Sequence, residues 1–182
     1  TTADQVLPLL AAADAKRGPG LFKAAGCAAC HRAGDDGRAV GPDLSTLGDR
    51  DDADSVIRSI LNPNQIIAEG YGLLTVATRD GKGCAGIFES ETDRTLRMVQ
   101  LNGDTVAIEK SAIDSRRSIH QSPMPPYDGV LNPRDVADLV TWLMKRQTLT
   151  WYLLLGYNAF ETANTLTNLL VITTADLEKV VG

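Results

Sequence analysis

The chain has 182 residues and a formal net charge of −5 at pH 7, and 43% of its residues are hydrophobic. This length suits one domain, or one compact domain with an appendage, and the apolar content suffices for a core. The acidic balance argues against general binding of nucleic acid. No run of about 20 apolar residues is present, so we predict no membrane span.

The N-terminal third of the chain predicts three helices. A short helix is expected over residues 3–16, and Gly18-Pro19-Gly20 is expected to break it. A second helix is predicted over residues 21–31, followed by a polar loop. A third is predicted over residues 51–61, because an aspartate at its start can cap it and Asn62-Pro63 ends it.

The motif Cys27-Ala28-Ala29-Cys30-His31 carries the most specific chemistry in the chain. C-x-x-C-H is the attachment signature of c-type haem, in which each thiol adds to a vinyl group and the adjacent histidine can ligate the iron. A redox-active C-x-x-C and half of a zinc site are the alternatives. A zinc site needs about four ligands, and only Cys84 and His120 remain to complete one. The pattern favours covalent haem.

Downstream of the motif, Gly41-Pro42 suggests a contact that orients the histidine. A ligating histidine usually donates its other ring N–H to a carbonyl or carboxylate, which fixes the tautomer. The carbonyl of Pro42 is the candidate acceptor for His31, because proline stiffens the loop that presents it. The alternative is a simple turn.

From residue 71 the hydrophobic period changes to about two, which predicts an antiparallel β meander. Its strands are expected at Leu73–Thr78, Cys84–Glu89, Thr95–Leu101 and Thr105–Ile108. We interpret the meander as a surface excursion over residues 70–109 that stabilises the domain or docks a partner. For Cys84 we favour a small buried hydrophobe, with an intermolecular disulfide or a reactive thiol left open.

The loop around Met124 is the candidate for the second iron ligand. Prolines at positions 123, 125 and 126 stiffen it, and methionine with histidine is a standard pair of haem ligands. His120 is the competing ligand, and an open sixth position is the third alternative.

The C-terminal part predicts two further helices. Asn132-Pro133 signals the start of one, which should pack on the helix predicted over residues 21–31, near Phe22 and Gly26. Residues 148–182 show apolar positions at steps of three and four, typical of an amphipathic helix that covers the domain or mediates a homodimer, with the homodimer slightly favoured. We therefore expect a domain over residues 1–147 and a helical extension over 148–182.

Together these features resemble a class I c-type cytochrome. The matching residues are Gly18-x-x-Leu21-Phe22, Cys27-Ala28-Ala29-Cys30-His31, Gly41-Pro42-x-Leu44, Met124-Pro125 and Leu139-x-x-Trp142-Leu143. More closely, residues 17–147 resemble the haem-binding domain common in planctomycetes and verrucomicrobia, which carries a β insertion between its histidine and methionine ligands. The resemblance implies a mainly α fold around one haem c attached at Cys27 and Cys30, with His31 and Met124 as axial ligands.

The expected function is that of a monohaem electron carrier, not an enzyme. Its partners would be a redox-protein donor and acceptor in the periplasm or elsewhere outside the cytoplasm, with a dehydrogenase as one candidate. The chain would be a free cytochrome or one module of a larger dehydrogenase-like polypeptide. Two alternatives remain: a haem sensor or peroxidase-like enzyme with an open or labile sixth position, and an interaction module in which haem is structural.

Overall fold

The computed structural model describes residues 1–146 of the chain. The predicted amphipathic helix and homodimer contact of residues 148–182 lie outside the described residues. The four α-helices of the described part are α1 (Ala3–Val6), α2 (Gly18–Ala24), α3 (Ala53–Leu61) and α4 (Pro133–Met144). Its seven strands are β1 (Arg32–Ala33), β2 (Asp36–Gly37), β3 (Leu73–Thr78), β4 (Gly83–Glu91), β5 (Thr95–Gln100), β6 (Thr105–Glu109) and β7 (Ile113–Ile119).

The two longest helices start where their capping residues predict. The Asp52 carboxylate accepts a hydrogen bond from the Ser55 N–H at the start of α3, at 3.0 Å. The Asn132 side chain accepts one from the Asp135 N–H at the start of α4, at 2.9 Å, and Pro133 is the first helical residue. Both caps satisfy N–H groups that have no partner within the helix.

The helix predicted over residues 21–31 is shorter than expected. Gly18-Pro19-Gly20 begins α2 instead of breaking a helix, because a proline fits the first turn, where its missing N–H costs nothing. The helix ends at Ala24, and Gly26 follows in the left-handed conformation, with φ +81°. Glycine adopts this conformation without a Cβ penalty, so it stops the helix before the C-x-x-C-H motif. The N-terminal helix is also short, since α1 gives way to a 3₁₀ turn at Leu7–Ala12.

Helices α2 and α4 cross at a glycine. A Cβ on Gly18 would lie 2.1 Å from Trp142 Cβ, so only glycine allows the helices to come this close. The rings of Phe22 and Trp142 are 5.4 Å apart at an angle of 55°. The contact predicted at Phe22 is confirmed, but Gly18, and not Gly26, is the point of closest approach.

A buried carboxylate joins the N-terminal segment to α4. Asp138 is fully buried and accepts hydrogen bonds from the Asp14 N–H, at 2.7 Å, and from the Arg17 guanidinium. Arg134 pairs with the same carboxylate at 3.2 Å. A buried charge is tolerated when it is paired and hydrogen-bonded in this way.

Five strands form one antiparallel sheet in the order β6-β5-β4-β3-β7. The four predicted strands are present, and β7 is a fifth that the sequence did not indicate. Its five central residues are exposed, so it lacks the alternation of buried and exposed side chains that marks a half-buried strand. The sheet buries its own apolar cluster, separate from that of the helices: Leu74, Val76, Leu96, Met98 and Ile108. Half-buried Cys84 packs against this cluster.

The mainly α fold class expected from the sequence is wrong. Of the described residues, 34% are in helices and 25% in strands, which makes the sheet a principal part of the fold. The expectation of a mainly α fold followed the resemblance to helical cytochromes and gave too little weight to the strand pattern. Helix α2 is also shorter than the spacing of its apolar residues predicted. Within residues 1–146, no helix has the length and apolar character needed to cross a membrane.

Candidate haem site

The C-x-x-C-H motif forms a single 3₁₀ turn directly after the glycine that ends α2. The turn spans Cys27–Ala29, and the Cys27 carbonyl accepts hydrogen bonds from the N–H groups of Cys30, at 3.1 Å, and His31, at 2.9 Å. Both cysteines are half-buried, and neither forms a disulfide bond within the described residues. Burial raises the pKa of the Cys27 thiol above its ordinary value.

The His31 ring is oriented by the loop that follows the motif. Its Nδ1 lies 2.8 Å from the Pro42 carbonyl oxygen, the contact that Gly41-Pro42 suggested. A carbonyl can only accept, so Nδ1 carries the proton and Nε2 keeps its lone pair. Burial lowers the pKa of His31, and this outweighs the opposing effect of the Pro42 hydrogen bond. A neutral imidazole with a free Nε2 is the form that binds a metal.

Two glycines let this loop lie against the motif. A Cβ on Gly41 would lie 2.8 Å from Cε1 and 3.0 Å from Nδ1 of His31, so the loop rests directly on the imidazole. Gly37 has φ +89°, and its Cβ would lie 2.0 Å from the His31 carbonyl oxygen. The loop is anchored by the Cys30 carbonyl, which accepts hydrogen bonds from the N–H groups of Val40, at 2.9 Å, and Gly41, at 2.7 Å.

Asp43 fixes the far side of the same loop. Hydrogen bonds from the hydroxyl and N–H of Ser45, and then the guanidinium of Arg32, hold the pKa of its carboxyl at about 2. The Leu44 N–H donates to the Arg32 carbonyl at 2.8 Å. The loop therefore passes the His31 ring at Pro42 and then returns to Arg32, the residue that follows His31.

Met124 and His120 differ sharply in environment. Met124 is half-buried and packs against the apolar cluster of the helices, which includes Phe22, Ile57 and Leu139. Cys27 packs against the same cluster, whereas His120 is exposed. The Met124 N–H donates to the Ser122 hydroxyl at 3.2 Å. The attachment motif and the loop around Met124 (residues 121–127, the methionine loop) thus border one core. Of the two proposed sixth ligands, only Met124 packs there.

Tyr127, which the sequence did not indicate, links the loop around Met124 to the motif. Its hydroxyl donates to the Ala25 carbonyl at 3.0 Å and also hydrogen-bonds the Cys27 side chain. Desolvation is the main reason why the pKa of Tyr127 rises to about 12. Its N–H donates to the Ile60 carbonyl, at the end of α3, at 3.2 Å. No local sequence pattern indicates these contacts.

A cytochrome c family model matches residues 15–82, which include the C-x-x-C-H motif and Pro42 but not Met124. No curated protein matches the chain. The family match supports a c-type cytochrome and indicates haem-based electron transfer. The cofactor is haem c, bound covalently. Cytochrome c domains are typically extracytoplasmic.

The donor set fits this cofactor. Cys27 and Cys30 would supply the two thiols for thioether bonds, and His31 would offer Nε2 because its Nδ1 is hydrogen-bonded to the Pro42 carbonyl. Within the described residues, no three histidine, cysteine or acidic side chains are grouped as metal ligands would be, so the zinc alternative gains no support. The assignments of these residues, and of Met124 and Pro42, stay predictions.

Proposed function

We propose that the chain is a monohaem c-type cytochrome that carries single electrons between extracytoplasmic redox proteins. In this proposal Cys27 and Cys30 hold the haem, and His31 and Met124 are the axial ligands. The closer resemblance to the planctomycete and verrucomicrobial domain, with the sheet as an insertion between the two ligands, is part of the proposal. So is the expectation that the chain transfers electrons without acting as an enzyme.

The observation that carries the proposal is the hydrogen bond between His31 Nδ1 and the Pro42 carbonyl. It fixes the tautomer that leaves Nε2 free, and it makes the imidazole a better donor to a metal. Bound haem supplies a one-electron ferric/ferrous couple. If His31 and Met124 both held the iron, no coordination position would be left open to small molecules. Methionine ligation also raises the reduction potential.

The environments of His120 and Met124 favour a carrier over a sensor or peroxidase-like enzyme. Such an enzyme needs an open or labile sixth position and an acid–base group held above it. His120 is exposed, whereas Met124 packs against the same apolar core as Cys27 of the attachment motif. This contrast supports a firm thioether ligand.

Redox titration with optical spectra of the holo-protein tests the ligand assignment. Met124→Leu removes the thioether at nearly constant volume. Met98→Leu is the matched control, because Met98 is fully buried in the sheet and belongs to the other apolar cluster. We expect Met124→Leu to lower the potential, to lose the far-red absorption of a thioether-ligated ferric haem and to bind carbon monoxide readily when reduced. Met98→Leu should change none of these.

Three results would count against the proposal. Rapid carbon monoxide binding by the unmodified ferrous protein would mean that the sixth position is labile, as in a sensor or enzyme. A wild-type spectrum and potential in Met124→Leu would mean that another group ligates the iron. If neither a redox protein nor a small mediator reduces the haem within seconds, the haem is structural.

A further inference from the structure

The methionine loop has few backbone hydrogen-bond donors. Between Gln121 and Tyr127, positions 123, 125 and 126 are prolines, which have no N–H. Ser122 and Met124 therefore carry the only backbone N–H groups in this stretch. The acceptors of these two N–H groups therefore determine how the backbone of the loop is held.

Side-chain oxygens accept both hydrogen bonds. The Ser122 N–H donates to Asn64 Oδ1 at 2.8 Å, and the Met124 N–H donates to Ser122 Oγ at 3.2 Å. Asn64 lies in the segment between α3 and β3, 58 residues before Ser122. The two bonds form a chain from that segment, through one serine, to the backbone of Met124.

The two residues at the ends of the loop are held by the elements on either side of that segment. The Gln121 carbonyl accepts from the Leu73 N–H, at 3.0 Å, where β3 begins. The Tyr127 N–H donates to the Ile60 carbonyl at 3.2 Å, near the end of α3. Both ends of the methionine loop are thus fixed by backbone contacts, and only its middle depends on Ser122 and Asn64.

We propose that Ser122 and Asn64 are positioning residues that hold the Met124 thioether in place as the sixth ligand of the haem iron. This inference rests on the proposed function, since it presupposes that Met124 ligates the iron. Without Ser122 Oγ, the half-buried Met124 N–H has no partner and the prolines on either side offer none. The loop then moves away from its ligating position more often, and an external ligand competes better for the iron.

Loss of the Ser122 side chain should weaken the ligation of the iron by Met124 more than loss of the Asn64 side chain does. The bond to the Met124 N–H is half-buried, whereas the bond from the Ser122 N–H is exposed and water can replace Asn64 there. Leaving a partly buried donor without a partner typically shifts an equilibrium by about tenfold. We expect a shift of that size for Ser122→Ala and a smaller shift, about twofold to threefold, for Asn64→Ala.

Binding of free imidazole to the ferric holo-protein, followed by absorption, tests this inference. Ser122→Ala is compared with Ser122→Thr, which keeps the hydroxyl, and with Thr92→Ala. Thr92 is the matched control because its hydroxyl accepts from the Thr95 N–H, at 3.0 Å, in the turn between β4 and β5. We expect Ser122→Ala to bind imidazole about tenfold more tightly than wild type, and both Ser122→Thr and Thr92→Ala to bind it like wild type.

The inference is overturned if Ser122→Ala binds imidazole as weakly as wild type, or if Thr92→Ala tightens binding equally, which would indicate general loosening. Met124→Leu separates this failure from failure of the proposed function. If that variant binds imidazole no more tightly than wild type, Met124 is not the ligand and both proposals fall. If it binds much more tightly while Ser122→Ala does not, Met124 ligates the iron without help from Ser122.

Discussion

Gly41→Ala tests whether the loop that orients His31 depends on the absence of a side chain. The added Cβ would lie 2.8 Å from His31 Cε1, whereas ordinary contact begins at 3.4 Å. The ring or the loop must therefore move by about 0.6 Å. The ring is held by the Pro42 carbonyl, so it has little freedom to yield. Overpacking of this kind typically lowers the free energy of unfolding by about 1–3 kcal/mol.

Alanine also has an opposite effect, which the control measures. Replacing glycine by alanine reduces the entropy of the unfolded chain and by itself stabilises by about 0.4–1 kcal/mol. Gly20→Ala isolates this gain, because Gly20 lies in α2 and its Cβ would meet nothing within 4 Å. We expect Gly20→Ala to be more stable than wild type and Gly41→Ala to be less stable.

Urea unfolding of the holo-proteins, followed by circular dichroism and haem absorption, measures both changes. The far-red absorption and the reduction potential report whether the iron site is altered in Gly41→Ala. If Gly41→Ala matches Gly20→Ala in stability and wild type in spectrum, the packing of the loop on the imidazole is not a constraint and the reasoning is refuted.

Three further predictions concern stability, and urea unfolding checks each. Gly18→Ala should lower the free energy of unfolding by about 3 kcal/mol or prevent folding, because its Cβ would lie 2.1 Å from Trp142 Cβ. A variant as stable as wild type would contradict the close crossing of α2 and α4. Asp138→Ala should lower the free energy of unfolding by about 1–3 kcal/mol, because three donors lose a buried acceptor, although water can reach Arg17. A change of less than about 0.5 kcal/mol would contradict this prediction. The lowered pKa of Asp43 stabilises the folded state above pH 3.8, and this contribution disappears as the pH falls to about 2. The stability advantage of wild type over Asp43→Asn should therefore shrink across that range, and an advantage that does not change with pH would contradict the assignment.

Local sequence signals predicted the parts of the fold that local chemistry determines. Asp52 and Asn132-Pro133 marked the starts of α3 and α4, because capping depends on residues within one turn. Turn signals and a period of two located four strands. Gly26 was interpreted as a helix contact, although its left-handed conformation ends α2. The exposed strand β7 carried no periodic signal at all.

The candidate site shows the same division. C-x-x-C-H and Gly41-Pro42 are short motifs whose chemistry depends on spacing, so the sequence indicated both His31 and its acceptor. Tyr127 and Asn64 act through contacts with residues 102 and 58 positions away. No local pattern encodes such contacts, so only the fold could identify them.

The intact mass of the purified protein tests the central claim, covalent attachment of haem at Cys27 and Cys30, most directly. The protein is produced with a working haem-ligation system, alongside a Cys27→Ala, Cys30→Ala double variant. We expect the wild-type chain to be heavier by one haem and to keep its colour in acidified organic solvent, and the double variant to have the mass of the polypeptide alone. A wild-type chain with the bare polypeptide mass, or one that releases its haem into the solvent, would contradict the account.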